Sequence, residues 1–378
     1  MIKVCFIVSS LVNEGPVNVM YNIIKYMDFS RFEVSVITLI PERENSRMVE
    51  FRQLPISIHQ IATEKIPSLL QMYSRLKKKV QEINPDMMHA HCPRSLYLTV
   101  FLPKKYKRIY TIHIYPGLQQ KVLYGTLKGN IVILLNHFFT RRMDLPIGCA
   151  ESISTLYKKK KGWEIMSIPN GSSLPVWQED ALQKQQLREK FGLKKDVRYF
   201  IFIGRFSKEK NPDRLVEAFR MLNNKKIGLI MLGNGPMWDE LKRSESEQIL
   251  LPGFTTEVYN YLIASDYYIS ASEVEGLANT LLESMTIGLP VILSDIPSHQ
   301  EVLSKMEKNV GYIIHQDQVS DIADKIEKII HEVDRIEAAT EIRRVFQTYY
   351  TAEKMSAAYQ AAYLNLGAHN NSCSQAFL

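Results

Sequence analysis

Short apolar runs recur along the chain and alternate with longer stretches whose apolar positions fall every three or four residues. The short runs predict strands. In the first half these are Lys3–Val8, Glu33–Leu39, Met87–Ala90, Arg108–Ile112 and Leu145–Gly148. In the second half they are Tyr199–Ile203, Ile227–Leu232, Ile249–Leu251, Tyr267–Ile269, Pro290–Leu293 and Gly311–Ile314. The longer stretches predict helices. Pro67 to Ile83 places Leu70, Tyr73, Leu76, Val80 and Ile83 on one stripe, with Lys77 to Lys79 mostly on the wet side. Gly15 opens a helix through Val17, Met20 and Ile24, and Asn211-Pro212-Asp213 opens another, with Asn as N-cap and Pro first. Strand and helix in alternation argue for parallel α/β units.

A turn-rich start and a polar helix, Glu179 to Phe191, follow Asn170-Gly171, and a fresh strand opens at Tyr199. Two domains are expected, 1–172 and 173–350, then a last helix over 351–366 and a polar, frayed tail over 367–378.

Composition changes this picture in three ways. Cys5, Cys92, Cys149 and Cys373 form no C-x-x-C pair, so reduced thiols are expected rather than a zinc or disulfide framework. The first ten residues read as a buried strand, since they lack a small-residue cleavage site. The longest apolar run, Ile131 to Leu135, stops at Asn136 and His137, far short of the ~20 residues of a membrane span. Charge is uneven. Residues 1–172 carry 24 Lys and Arg against 12 Asp and Glu, a net of +12, while the remainder has 23 against 28, so the whole is +7. Such a basic first half needs an anionic partner other than a nucleotide alone.

The candidate chemistry centres on Glu275 and Glu283, which bracket seven residues. A small-residue turn leading into a helix offers backbone N–H groups and a favourable dipole to an anion. Carboxylates beside an anion site repel it, so they need another task, and holding sugar hydroxyls is the simplest. Phosphate and hydroxyls side by side suggest a sugar nucleotide. A glycosidase pair is the competing reading. Eight helical residues would span ~12 Å, against about 5–9.5 Å for glycosidase carboxylates.

The segment Glu273-Val-Glu275-Gly-Leu-Ala-Asn-Thr-Leu-Leu-Glu283 resembles the Glu-x7-Glu motif of glycosyltransferase family 4. Glu14-Gly15-Pro16, His89-Ala-His91, Thr111-Ile-His113, Ile168-Pro-Asn170-Gly171, Gly204-Arg205-Phe-Ser-Lys-Glu-Lys210 and Gly233-Asn-Gly235-Pro fall in that family's order. The resemblance implies the GT-B fold, α/β, with two Rossmann-like domains whose parallel sheets face a central cleft. The first domain would bind acceptor and the second the nucleotide sugar, and the last helix would cross back to the first. It implies a retaining, metal-independent transfer with no cofactor beyond the nucleotide-sugar co-substrate, most simply UDP-linked. Arg205 and Lys210 match its diphosphate-binding pair, and both follow a strand, where ligand crevices form. Glu275 would take hydroxyls of the transferred sugar. Gly276, Leu277 and Asn279 would offer N–H groups, Thr280 its hydroxyl, and Glu283 would hold the ribose. Gly15 and Gly204 let backbone approach the donor. His113 would sit near the reacting centre, and Phe254 against the base. This chain departs from the family at Glu14-Gly15-Pro16, where two glycines are commoner, and at Ser172-Ser173, where an apolar residue and Asp usually follow.

His89 and His91 are read as pointing to opposite faces of their strand, which disfavours a shared ion, and no D-x-D-type pair occurs where a metal-dependent transferase needs one. A same-fold nucleotide-sugar 2-epimerase and a non-catalytic sugar-nucleotide-binding protein are the alternatives. A nicotinamide dehydrogenase is disfavoured because Ser9 to Met20 hold only Gly15. No nucleic-acid motif accompanies the basic residues. The expected partners are a nucleotide sugar, a glycan or lipid-linked glycan acceptor, and an anionic membrane surface. The expected location is cytoplasmic, peripheral on the inner face of the cell membrane.

Overall fold

The computed structural model describes residues 1–222 and 224–373, with backbone alone for 369–373. The chain divides into two compact units, one of residues 1–173 together with the chain from Thr351, the other of residues 174–350.

The first unit holds a seven-stranded parallel sheet of β1 (Ile2–Val8), β2 (Phe32–Thr38), β3 (Ser57–Gln60), β4 (Met87–Ala90), β5 (Lys107–Ile112), β6 (Leu145–Gly148) and β7 (Met166–Ser167), in the order β3-β2-β1-β4-β5-β6-β7. The second holds six parallel strands, β8 (Arg198–Ile203), β9 (Ile227–Leu232), β10 (Ile249–Gly253), β11 (Tyr267–Ser270), β12 (Val291–Ser294) and β13 (Gly311–Ile314), ordered β10-β9-β8-β11-β12-β13. Counted within its own unit, each sheet opens 3-2-1-4-5-6, the doubly wound order. The order reverses between β1 and β4, and again between β8 and β11. Central strands are apolar because helices cover both faces. Every residue of β4, β9, β11 and β12 is buried.

Sequence periodicity misses β3 and β7. Both are edge strands, and β3 buries none of its four residues fully. The helix Leu69–Ile83 is closed at its start by a capping box of Ser68 and Gln71. Its buried stripe is Met72, Leu76 and Val80, whereas Leu70, expected on the stripe, faces water. Asn211 precedes the helix Pro212–Met221 as expected, but its side chain does not cap. It donates instead to the Ala271 carbonyl, 3.0 Å away, and ties the loop after β8 to the end of β11.

The last helix, Ala352–Cys373, continues past the tail expected from residue 367. Residues 374–378 of that tail, and the Cys373 side chain, lie outside the described residues. Met355, Tyr359, Ala362 and Tyr363 from this helix enter the first unit's core beside Val4, Phe6, Met20 and Ile23. Gly171 marks the crossing point: a Cβ there would lie 2.4 Å from the Thr351 carbonyl oxygen, so only glycine fits.

Candidate active site

In the second unit, the loop after β8 carries Gly204, Arg205 and the short turn Lys208–Lys210, and the loop after β11 carries Ser272 to Ala278. Both loops leave C-terminal strand ends at the order reversal, where ligands of such sheets bind. Lys210 Nζ and Glu275 Oε1 form an ion pair between two mostly buried side chains. Ser272 donates to the same carboxylate oxygen at 3.0 Å. Burial pushes the Glu275 carboxyl up, but the attraction and hydrogen bond of Lys210, the nearby His299 and the Ser272 hydroxyl together outweigh it and bring the group below its ordinary value. Arg205 is exposed and has no side-chain hydrogen bond or ion pair among the described residues. The loop therefore sets Lys210, already balanced by a carboxylate, close in sequence to the unbalanced Arg205.

Sequence reasoning missed the support behind Glu275. Ser294 Oγ, at the end of β12, donates to the Ser272 carbonyl at 2.6 Å. His299 is fully buried, and its Nδ1 lies 3.1 Å from both the hydroxyl and the carbonyl of Ser294. A carbonyl only accepts and Ser294 Oγ already donates elsewhere, so Nδ1 carries the proton. His299 Nε2 is left a bare buried acceptor with no partner among the described residues. Burial, only partly offset by Glu275, lowers the ring's pKa to about 4. The usable signal was position: Ser294 and His299 follow a strand adjacent to β11, like the residues that were found.

Gly276 and Leu277 are buried in the turn before the helix Asn279–Ile287. That helix has no side-chain cap and no acidic residue in its first turn, which leaves its start suited to an anion. Only Asn279 to Glu283 of the Glu-x7-Glu segment are helical, so the spacing of eight helical residues expected between the carboxylates does not apply. Thr280 Oγ1 lies 3.0 Å from the buried Tyr268 hydroxyl, so its hydroxyl is already engaged. Glu283 is half-buried on the helix. Phe254 follows β10 and is 56% exposed, which excludes core packing as its role. A Cβ on Gly233 would lie 1.9 Å from the Gly204 carbonyl oxygen, which explains the glycine in Gly233-Asn-Gly235.

In the first unit, Gly15 is exposed and begins the helix Gly15–Lys25, with Glu14 as an exposed N-cap whose side chain makes no capping bond. His113 follows β5 and is half-buried. Its Nε2 lies 3.3 Å from His91 Nδ1. Burial lowers the His113 pKa to about 3, and pushes His89 and His91 well below the ordinary histidine value. The expectation of opposite faces fails. Residues two apart on a strand share a face, and the His89 and His91 rings lie 4.2 Å apart, centre to centre. Both His89 nitrogens are occupied, Nδ1 by the Tyr363 hydroxyl at 2.7 Å and Nε2 by Thr111 Oγ1 at 2.8 Å, and Thr111 reaches the Tyr359 hydroxyl at 2.9 Å. No group of three or more His, Cys, Asp or Glu among the described residues could hold a metal ion.

Two family models match this chain. Residues 14–174 match Glycosyltransferase Family 4, and residues 183–344 match Glycosyl transferases group 1. The O-antigen biosynthesis glycosyltransferase WclY of Escherichia coli is 24% identical over 372 residues, 96% of this chain and 98% of its own. A UDP-Gal:alpha-D-GlcNAc-diphosphoundecaprenol alpha-1,3-galactosyltransferase of Escherichia coli is 31% identical over 182 residues, 45% of this chain and 46% of its own. Among solved structures, HepE of Anabaena in complex with UDP and glucose superposes with a TM-score of 0.79 at 16% identity, covering 96% of this chain and 99% of that one. Two parallel Rossmann-like sheets with these neighbours define a GT-B enzyme that transfers glycosyl groups. The chain belongs to glycosyltransferase family 4.

Proposed function

We propose that this enzyme moves a sugar from a UDP-linked donor, with retention of anomeric configuration, to a lipid-linked glycan in bacterial surface-polysaccharide assembly. The observation that carries this reading is the buried Lys210–Glu275 pair beside the unbalanced Arg205 at the order reversal of the second sheet. Leaving-group departure puts positive charge on the sugar and added negative charge on the diphosphate. Arg205 and Lys210 stabilise the diphosphate, Arg205 with a two-pronged grip and Lys210 as a point charge. Glu275, held ionised, accepts from a sugar hydroxyl, and Glu283 takes the ribose. Gly204, Gly276, Leu277, Asn279 and Thr280 line the donor, and Phe254 lies against the base. Residues 174–350 hold the donor in this reading. Residues 1–173 serve the acceptor side, with His113 as a neutral hydrogen-bonding group. The cations do the work a metal would do, so no metal or other cofactor is required.

A fold neighbour's complex with UDP-glucose and the diphosphoundecaprenol-linked substrate in a relative's name support donor and acceptor classes. No helix among the described residues is long and apolar enough to cross a membrane. Lys77 to Lys79, Lys104 to Arg108 and Lys158 to Lys161 favour the anionic cytoplasmic leaflet, each nearby cation adding about 1 kcal/mol. The test is transfer from a panel of nucleotide sugars to an undecaprenyl-diphosphate-linked sugar in exhaustive EDTA, with the product anomer read by NMR. Retained transfer from a UDP-sugar supports the reading. Inversion, loss of activity restored by a divalent ion, or acceptor-free conversion of the donor overturns it.

A further inference from the structure

The first unit carries two helices that are inside out. Leu118–Tyr124 buries only Gln120, and Thr126–Thr140 buries Gly129, Asn136, His137 and Thr140. Their apolar residues face water instead. Leu127 is 78% exposed, Ile131 53%, Leu134 69% and Phe138 47%. These lie at helical spacings of three and four and form one stripe. Leu118, Val122, Leu123 and Tyr124 extend it on the preceding helix, and Phe101 is exposed as well. The two helices pack closely: a Cβ on Gly129 would come within 2.8 Å of the Gln120 carbonyl oxygen. Scattered surface leucines need no explanation, but a contiguous apolar stripe opposite a buried polar one does.

Charge says what covers it. Between Asp86 and Asp144 the chain has nine Lys and Arg and no acidic residue. Where the stripe ends there is an open groove of about 590 Å³ with Leu134, Phe138 and Trp163 as walls and Arg141, Arg142 and Lys161 as cations. The Arg141 guanidinium lies 5.6 Å from the Trp163 ring centre, and Arg142 lies 3.4 Å from that of Phe138. Neither arginine, nor Lys161, has an acidic partner among the described residues. A water-facing apolar stripe that ends in acid-free cations beside a tryptophan complements a lipid surface: acyl chains for the stripe, phosphates for the groove.

We propose that the helical hairpin Leu118–Thr140 lies in the interfacial layer of an anionic bilayer, with Arg141, Arg142 and Lys161 holding lipid phosphates. This rests on the membrane-surface reading above but replaces purely electrostatic contact with insertion of a named segment. Salt separates the two. Contact through Lys77 to Lys79 and Lys104 to Arg108 alone fades as the Debye length shrinks, whereas inserted apolar surface does not.

The test uses the full chain, sedimented with phosphatidylcholine vesicles with and without 30% phosphatidylglycerol. Wild type should bind the anionic vesicles and retain most binding in about 0.5 M salt, where the Debye length is only a few Å. Leu134→Glu and Leu127→Glu, both at exposed positions, should each weaken binding about tenfold or more while leaving transfer to a water-soluble acceptor unchanged. Reversing Arg141 and Lys161 to Glu should remove the preference for anionic vesicles. An Ile131→Trp variant should be quenched by lipids brominated on the acyl chain. Undiminished binding of Leu134→Glu, unquenched Ile131→Trp, or a dimer that Leu134→Glu dissociates in place of vesicle binding would each overturn the proposal. Vesicle binding without any transfer would instead count against the donor and acceptor reading and leave the hairpin's role standing.

Discussion

The two sheets share a strand order but not the chemistry at the C-terminal ends of their strands. In the second unit, the loops after β8 and β11 are ionic: Lys210 is paired with Glu275, and Arg205 stands unbalanced. In the first, the ends of β4 and β5 present His91 and His113, both held neutral by burial and touching each other rather than a charge. One backbone plan thus offers an ion pair in one unit and, at β4 and β5, a neutral histidine pair in the other, while Arg94 donates to Ser9 at the first unit's own reversal. An ion-paired crest suits a diphosphate, whose negative charge grows as the sugar leaves. A neutral histidine pair suits hydroxyl groups, which need partners rather than counter-ions.

If that contrast is functional, its largest signature lies in the second unit. Arg205→Ala should slow transfer by roughly 10²–10³-fold with the melting temperature unchanged, because the side chain is exposed and unpaired. Lys210→Ala should slow it by a similar ~10²–10³-fold factor but also lower the melting temperature, since it strands the mostly buried Glu275 carboxylate. Single-turnover kinetics with parallel calorimetry separate the two, and equal melting temperatures for both variants would contradict the ion-pair assignment.

Acid should split the units in the opposite sense. His89, His91, His113 and His137 in the first unit have pKa values below the ordinary 6.5, against His299 in the second. A histidine whose folded pKa is depressed takes up its proton only on unfolding once pH drops below the unfolded value. Its contribution to stability is therefore full above about pH 6.5 and is lost as pH falls towards the folded values, about 3 for His113 and about 4 for His137 and His299. Each fully uncharged ring costs up to about 1.4 kcal/mol per pH unit across that window. Hydrogen exchange at pH 7 and pH 5 should show the first unit losing protection first. Loss beginning in the second unit would refute this.

Smaller effects sharpen the donor side. Glu283→Ala should weaken UDP binding by about tenfold and change turnover little, because ribose contacts barely alter in the transition state. Titration calorimetry with UDP checks it, and wild-type affinity would exclude the ribose role. Phe254→Ala should cost least, a few-fold in UDP affinity, since one face of an exposed ring is at stake. Unaltered affinity would remove Phe254 from the donor site.

Most of the fold was legible because fully buried parallel strands are short, apolar and bounded by helices. Met87–Ala90 and Ile227–Leu232, buried throughout, lie where the pattern puts them. The edges β3 and β7 were not, since these two edge strands carry no apolar run, unlike the edges β10 and β13. Leu70 was misplaced for a deeper reason: periodicity reveals that a helix has an apolar side, not which way that side faces. Of the candidate site, the motifs name Lys210 and Glu275, which the structure pairs. The support behind them, Ser294 and His299 behind Glu275 and Tyr359 and Tyr363 around His89, was not legible, because these residues sit on a strand and on helices outside any motif and reach partners far away in sequence.

The helix Ala352–Cys373 has a consequence for the order in which the molecule is made. Residues 174–350 leave the ribosome before it, and their unit can close as soon as they are out. The first unit, though synthesised earlier, waits for Met355, Tyr359 and Tyr363 to fill its core and to satisfy His89 and Thr111. The amino-terminal half is thus begun first and finished last. Without that helix the first unit holds an unfilled cavity and two unmet polar groups, so a released chain truncated after residue 350 would keep a complete second unit while its first remained a client for chaperones.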